Sequence, residues 1–282
     1  MTLWKAASRA YRSTKDSIGL RAILLVLLSL ALRPTAGAGQ QAAFSEGNST
    51  LTTAQVVARM VEMNLRRAQA LHSYSGSRTY KVEYRGLLGT TSAEMAVDVT
   101  YRAPGTKEFT IRSSNGSTLI IEKVLKKLLQ AEAEAASAEG QRRTALNNEN
   151  YEFTMVGSEG TGPRLKYVLT VEPRTKSKFL YRGRIWVDAA DFAVVRLEAE
   201  PAKNPSFWTK SSQIEQSYQK LSDFWLPERN HSISSIRIGG RAELTIEYQS
   251  FQITASEPVR HEPMQELARS AHKTLSQAAK EQ

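Results

Sequence analysis

The sequence predicts a mainly β fold with a few helices (α+β), built on one large antiparallel sheet that curls toward a barrel or half-barrel. Three observations carry that reading. About ten β-rich or alternating segments follow one another with turn residues between them. Few segments keep helical spacing instead. The 282 residues are 41% apolar and 23% charged, a globular make-up with enough apolar content for a sizeable core.

Residues 1–38 read as a secretory signal peptide. Lys5, Arg9, Arg12, Lys15 and Arg21 precede an apolar run from Ala22 to Leu32 that only Ser29 interrupts. Arg33 and Pro34 end the run, and Ala36-Gly37-Ala38 is a small-x-small cleavage site. The run is well short of the roughly 20 residues a bilayer-spanning helix needs. The alternative is an uncleaved N-terminal anchor. Residues 39–51 form a polar leader, and the folded domain is expected over 52–256. Thr52 and Thr53 cap a first helix through Val56, Val57, Met60, Val61, Met63 and Leu65.

Strands are expected at Tyr74 to Tyr84, at Glu94 to Tyr101, and from Phe109 to the Asn115-Gly116 turn. A second helix then interrupts the sheet from Leu119 to Ala138, with Ile121, Val124, Leu125, Leu128 and Leu129 on its apolar face. Lys123, Lys126, Lys127, Glu132 and Glu134 fill its other positions, and Gly140 is the expected stop. Residues 142–150 connect to a run of seven further strands: Tyr151–Val156, Leu165–Val171, Lys178–Val187, Ala193–Glu200, Ser212–Leu221, Trp225–Ile238 and Arg241–Ile253. Residues 257–282 are a polar tail or peripheral helix.

Several chemistries are excluded or disfavoured. With no cysteine there is no disulfide, thiolate zinc site or thiol nucleophile. His72, His231, His261 and His272 lack helical metal-ligand spacing, so no metal or other cofactor is expected. The formal charge is +10, but residues 1–38 hold six basic residues and one acid. The remainder carries 32 basic against 27 acidic residues, or +5, which suits weak attraction to anionic surfaces better than nucleic-acid binding. No nucleophile elbow, phosphate loop or dinucleotide fingerprint occurs. Asp188 and Asp191 read as a tight turn, Glu198 and Glu200 as a solvated strand face, and His231 as a surface residue. No catalytic residue is assigned, and an enzyme is not expected.

Aromatics gather in the second half of the sheet. Trp186, Phe207, Trp208 and Trp225, with Leu125, Leu128 and Leu129 of the inserted helix, are the candidates for lining an apolar ligand cavity. Ordinary core packing is the plainer account of each.

The order of these elements resembles a known family. Tyr181-Arg182-Gly183-Arg184-Ile185-Trp186-Val187-Asp188, the return strand Val194-Val195-Arg196-Leu197-Glu198, Trp225-Leu226-Pro227 and Ala242-Glu243-Leu244-Thr245-Ile246-Glu247-Tyr248 look like the periplasmic lipoprotein-sorting (LolA-like) superfamily. That resemblance implies an unclosed antiparallel β-barrel with helices covering its mouth and a cavity for acyl chains. It implies an exported carrier, periplasmic in a Gram-negative cell, with lipid or lipoprotein acyl chains as partners. Membrane-anchored donor or acceptor proteins would also be partners, nucleic acid would not, and the chain would be a monomer. Arg78, Arg85 and Arg102 are candidates for the arginine that holds the lid. An envelope regulatory module on the same fold is the alternative function, and a cell-envelope enzyme the third.

Overall fold

The structure, a computed structural model, describes residues 51–255 apart from 88, 178, 205–208 and 238. The expected signal segment, nearly all of the leader, and the tail at 257–282 lie outside the described residues, as do Phe207 and Trp208.

Helix α1 (Thr53–Ala70) begins as the sequence predicts. The Thr52 hydroxyl accepts from the Gln55 backbone N–H, and the Gln55 side chain accepts from the Thr52 N–H at 2.9 Å, a reciprocal cap. Strands β1 (Leu71–Gly86), β2 (Gly89–Arg102) and β3 (Thr106–Gly116) follow as a meander.

The inserted segment comes next. It runs as α2 (Thr118–Ile120), a π-helical stretch (Ile121–Leu125), α3 (Lys126–Ala136) and α4 (Ala138–Thr144). Gly140 is not its stop. Ser137 takes an extended conformation with ψ 156°, and its hydroxyl accepts from the Gly140 N–H at 3.2 Å. A serine offers the backbone that alternative bond, so it ends α3 and caps α4, with Gly140 inside α4.

Strands β4 (Tyr151–Glu159), β5 (Lys166–Pro173), β6 (Tyr181–Asp188), β7 (Val194–Pro201), β8 (Thr209–Leu221), β9 (Phe224–Ile236) and β10 (Arg241–Ala255) complete one antiparallel sheet. The spatial order is β3-β2-β1-β10-β9-β8-β7-β6-β5-β4. The first strand pairs with the last along β1 and β10, while β3 and β4 remain as the two edges. The barrel is therefore unclosed, and the inserted helical segment is the chain that passes from one edge to the other.

The inner face divides into two main apolar clusters. In one, Val56, Val57, Met60 and Met63 of α1 pack with Tyr151, Leu169, Val171, Ile185, Val187, Leu197 and Ile214. In the other, Ile120, Ile121, Val124, Leu125, Leu128 and Leu129 of the inserted segment pack with Tyr80, Val82, Met95, Val97, Leu244 and Ile246. A smaller group around Tyr74, Val99 and Tyr101 adjoins the second, sharing Phe109 and Phe251 with it. Each helix thus satisfies the apolar half of the sheet that it covers.

Gly183 marks a tight point in β6. Its φ is +153°, and a Cβ there would meet the Glu198 carbonyl oxygen at 2.1 Å. Gly183→Val should destabilise the fold by about 2–4 kcal/mol through strain and steric conflict. Urea unfolding of the two proteins measures it.

Candidate functional site

Three charged side chains occupy positions whose periodicity points inward. Arg78 shares the inner face of β1 with Tyr80 and Val82. Lys107 shares that of β3 with Phe109. Glu132 lies one heptad beyond Leu125, on the buried stripe of α3. Their side chains are only 1–2% exposed.

Glu132 Oε2 accepts from Arg78 Nη1 at 2.6 Å and pairs with Lys107 Nζ at 3.2 Å. The Tyr80 hydroxyl donates to Glu132 Oε1 at 3.4 Å. The Arg78 guanidinium also lies 4.7 Å over the Tyr248 ring and 5.6 Å from that of Phe109. Burial alone would raise the Glu132 carboxyl, but the charges of Arg78 and Lys107 outweigh it and hold it below its usual 4.5. Burial and the nearby carboxylate both push the Tyr80 phenol up. The geometry fastens α3 to β1 and to edge strand β3 through one carboxylate.

Of the three arginines considered for this role, Arg78 is buried. Arg85 pairs with Glu83, and Arg102 with Glu108 at 3.2 Å, both on the exposed surface. Sequence reasoning placed Glu132 on the solvated side of its helix and passed over Lys107. The missed signals were strand parity for Arg78, which continues the buried row of Tyr80 and Val82, and heptad spacing from Leu125 for Glu132; Lys107 shares its face only with half-buried Phe109 and exposed Ile111.

A polar seam separates the two main clusters. On β9 the inner positions are Asn230, Ser232 and Ser234, opposed on β8 by Gln216, Ile214 and Ser212. The Ser212 and Ser234 hydroxyls lie 2.7 Å apart, and Asn230 Nδ2 donates to Gln216 Oε1 at 2.9 Å. Ser232 stands between Ile214 and Leu244, and its hydroxyl has no hydrogen-bond partner in the protein.

The other expected site residues fall in different places. Leu125, Leu128 and Leu129 are buried against the sheet. Trp186 faces the outer side, because its neighbours Ile185 and Val187 take the inner positions of β6. Its indole N–H donates to Glu159 at 2.7 Å, and the Arg196 guanidinium lies 4.7 Å over its ring. Trp225 is half-buried and donates to Asp191 Oδ2 at 2.9 Å, outside the described apolar clusters.

Asp188 Oδ1 accepts the backbone N–H groups of Ala190 and Asp191, so this segment is a turn. Arg67 ties α1 to that turn, donating to the carbonyls of Asp191 at 2.9 Å and Phe192 at 3.3 Å. His231 pairs with Glu243 at 2.8 Å. Glu198 and Glu200 border an open groove of about 580 Å³ that Arg182 and Arg184 also line. Among the described residues, no group of His, Asp or Glu side chains could hold a metal ion, and no helix is long and apolar enough to cross a membrane.

No family model and no curated protein matches the chain. Among solved structures it is similar to a DUF1329 family protein from Desulfovibrio piger, at 12% identity and TM-score 0.38 over 72% of this chain and 94% of that one. It is similar to a putative outer membrane lipoprotein-sorting protein domain from Vibrio parahaemolyticus, at 11% identity and TM-score 0.34 over 72% and 94%. A LolA superfamily protein from Nitrosomonas europaea follows, at 10% identity and TM-score 0.33 over 77% and 97%.

Glu132→Gln would leave two buried cations without a counter-charge, and should lower unfolding stability by about 3–5 kcal/mol in urea titrations. The triad also sets an acid limit. Because the Glu132 value in the folded protein lies below the unfolded one, its contribution is complete at neutral pH and is lost as pH falls below about 4.5. Melting temperatures measured between pH 7 and pH 3 should fall less steeply in Glu132→Gln than in the natural chain.

Proposed function

We propose that the protein is an exported binder and carrier of acyl chains, with the inserted segment as a displaceable cover over one apolar half of the sheet. The observation that carries the reading is the composition of that cover. Six buried apolar side chains, Ile120, Ile121, Val124, Leu125, Leu128 and Leu129, face the sheet, while one ion triad fixes the segment's position. Burying such side chains is worth about 1.5–3 kcal/mol each, or roughly 9–18 kcal/mol together. Transferring an acyl chain of about 16 carbons out of water is worth on the order of 12 kcal/mol.

The two are comparable, so a chain can take the place of the helix row without a large net cost. The interior need not hold an empty cavity for this, because the leucines of the cover occupy the same apolar surface in the closed state. The π-helical stretch at Ile121–Leu125 supports the reading, since such stretches interrupt the regular ladder where helices bend or serve a site. The ion triad gives the cover one seat and a definite energetic threshold for leaving it.

Solvent extraction of purified protein followed by lipid mass spectrometry should recover acyl lipids, and a fluorescent fatty acid should bind. Leu128→Ala, which removes one buried apolar side chain of the cover and leaves the triad intact, should take up the probe about tenfold faster at unchanged stoichiometry. Absence of both extracted lipid and probe binding would overturn the proposal. A single stable protein partner captured by crosslinking in intact cells, with no lipid recovered, would point instead to a regulatory module.

A further inference from the structure

We infer that the inner face beside the Glu132 triad is a site for the anionic group of an acyl amphiphile, a carboxylate or a phosphate, received by Arg78 and Tyr248. This rests on the carrier reading and names the class of cargo.

The first ground is charge. Two cations, Arg78 and Lys107, share the single carboxylate of Glu132, all three at 1–2% side-chain exposure. Arg78 pairs with the Glu132 carboxylate at 2.6 Å and with the Tyr80 hydroxyl at 3.2 Å, and the Tyr248 and Phe109 rings lie 4.7 and 5.6 Å from its guanidinium. The interior therefore retains one positive charge in excess among the described residues. Aromatic rings over the guanidinium spread that charge without neutralising it. A buried charge without a counter-ion is unfavourable; when the inserted helix gives way and takes Glu132 with it, an incoming anion would supply the counter-charge to Arg78.

The second ground is hydrogen bonding. Arg78 Nε and the Tyr248 hydroxyl are both shielded from solvent, and neither has a partner in the protein. They are neighbours by construction, because Arg78 stands opposite Tyr248 in the ladder between β1 and β10. Both are donors, and one belongs to a cation. Such a pair suits an oxyanion and gives nothing to plain hydrocarbon. The rest of that face is the apolar row of Tyr80, Val82, Met95, Val97, Leu244 and Ile246, against which the inserted helix packs. Head and tail of one amphiphile thus find complementary surfaces on the same half of the sheet.

The test compares dansyl-undecanoic acid with its methyl ester on the full mature chain and on Tyr248→Phe. The phenylalanine variant removes a hydroxyl that bonds nothing in the protein, so it should fold normally. The natural chain should prefer the acid by about tenfold or more, and Tyr248→Phe should cut that preference several-fold while ester affinity holds. Displacement of the probe by palmitate or by lysophosphatidic acid supports the site, and the stronger displacer identifies the anion. Equal affinity for acid and ester in the natural chain, or an unchanged preference in Tyr248→Phe, overturns the inference and leaves the carrier reading standing. Binding of neither probe overturns the carrier reading itself.

Discussion

The edges β3 and β4 of the ten-stranded sheet never pair, and the chain between them is the helical segment that covers the inner face. This constraint organises the rest of the molecule. Closing the barrel would require β3 and β4 to form a ladder; instead the chain between them packs its apolar side chains on the inner face. Everywhere else the sheet is continuous, and the ladder from Leu71↔Ala255 to Arg85↔Arg241 joins the first strand to the last. The inserted segment is thus the part of the wall whose removal exposes apolar surface without breaking a strand pair.

The two covering helices are seated by different chemistry. Helix α1 uses four apolar side chains and one arginine, and Arg67 donates to neutral backbone carbonyls of the turn after β6. The inserted segment carries a carboxylate that meets cations from two strands. A buried ion cluster adds little net stability over apolar residues of the same volume, yet its disruption is costly because the stranded charges stay buried. It therefore acts on register more than on overall stability. The helix sits where Glu132 reaches both Arg78 and Lys107, and a shift of one turn would forfeit the pair. On the proposed carrier reading, a cover that leaves and returns to one position would be served better by such a contact than by leucines alone, which tolerate sliding.

Much of this architecture was legible in the residues. The Thr52 cap, the period-two strands, the Asn115-Gly116 turn and the apolar stripe of the inserted segment each follow from local rules, and local rules set element type. Its end was misread, because Ser137 rather than Gly140 terminates α3. A serine hydroxyl competes for backbone groups only in the geometry the neighbouring turn provides. The triad was hidden for a different reason. Arg78, Lys107 and Glu132 are far apart in sequence: Glu132 reads as one of the helix's solvated charges, Lys107 gives no signal, and Arg78 stands out only through the family resemblance, beside Arg85 and Arg102; their meeting follows from the strand order. Trp186 shows the converse, since aromatic character suggested the interior while strand parity assigned it to the outer face beside Arg184 and Arg196.

On the proposed carrier reading, the seam on β8 and β9 would limit where a bound chain can lie. Gln216 with Asn230, and Ser212 with Ser234, are already paired across the ladder, and they separate the half under α1 from the half under the inserted segment. An acyl chain crossing that row would desolvate amides and hydroxyls without giving them a partner, at a cost that rises with each group covered. An acyl chain that replaced the inserted helix would therefore stay on the strands that helix covers, β10, β1 and β2. On those strands Arg78 and Tyr248 present donors at one side of the apolar row. On the proposed carrier reading, the division of the inner face into two apolar halves would confine a bound chain to the half under the inserted segment, with its polar end beside Arg78 and Tyr248.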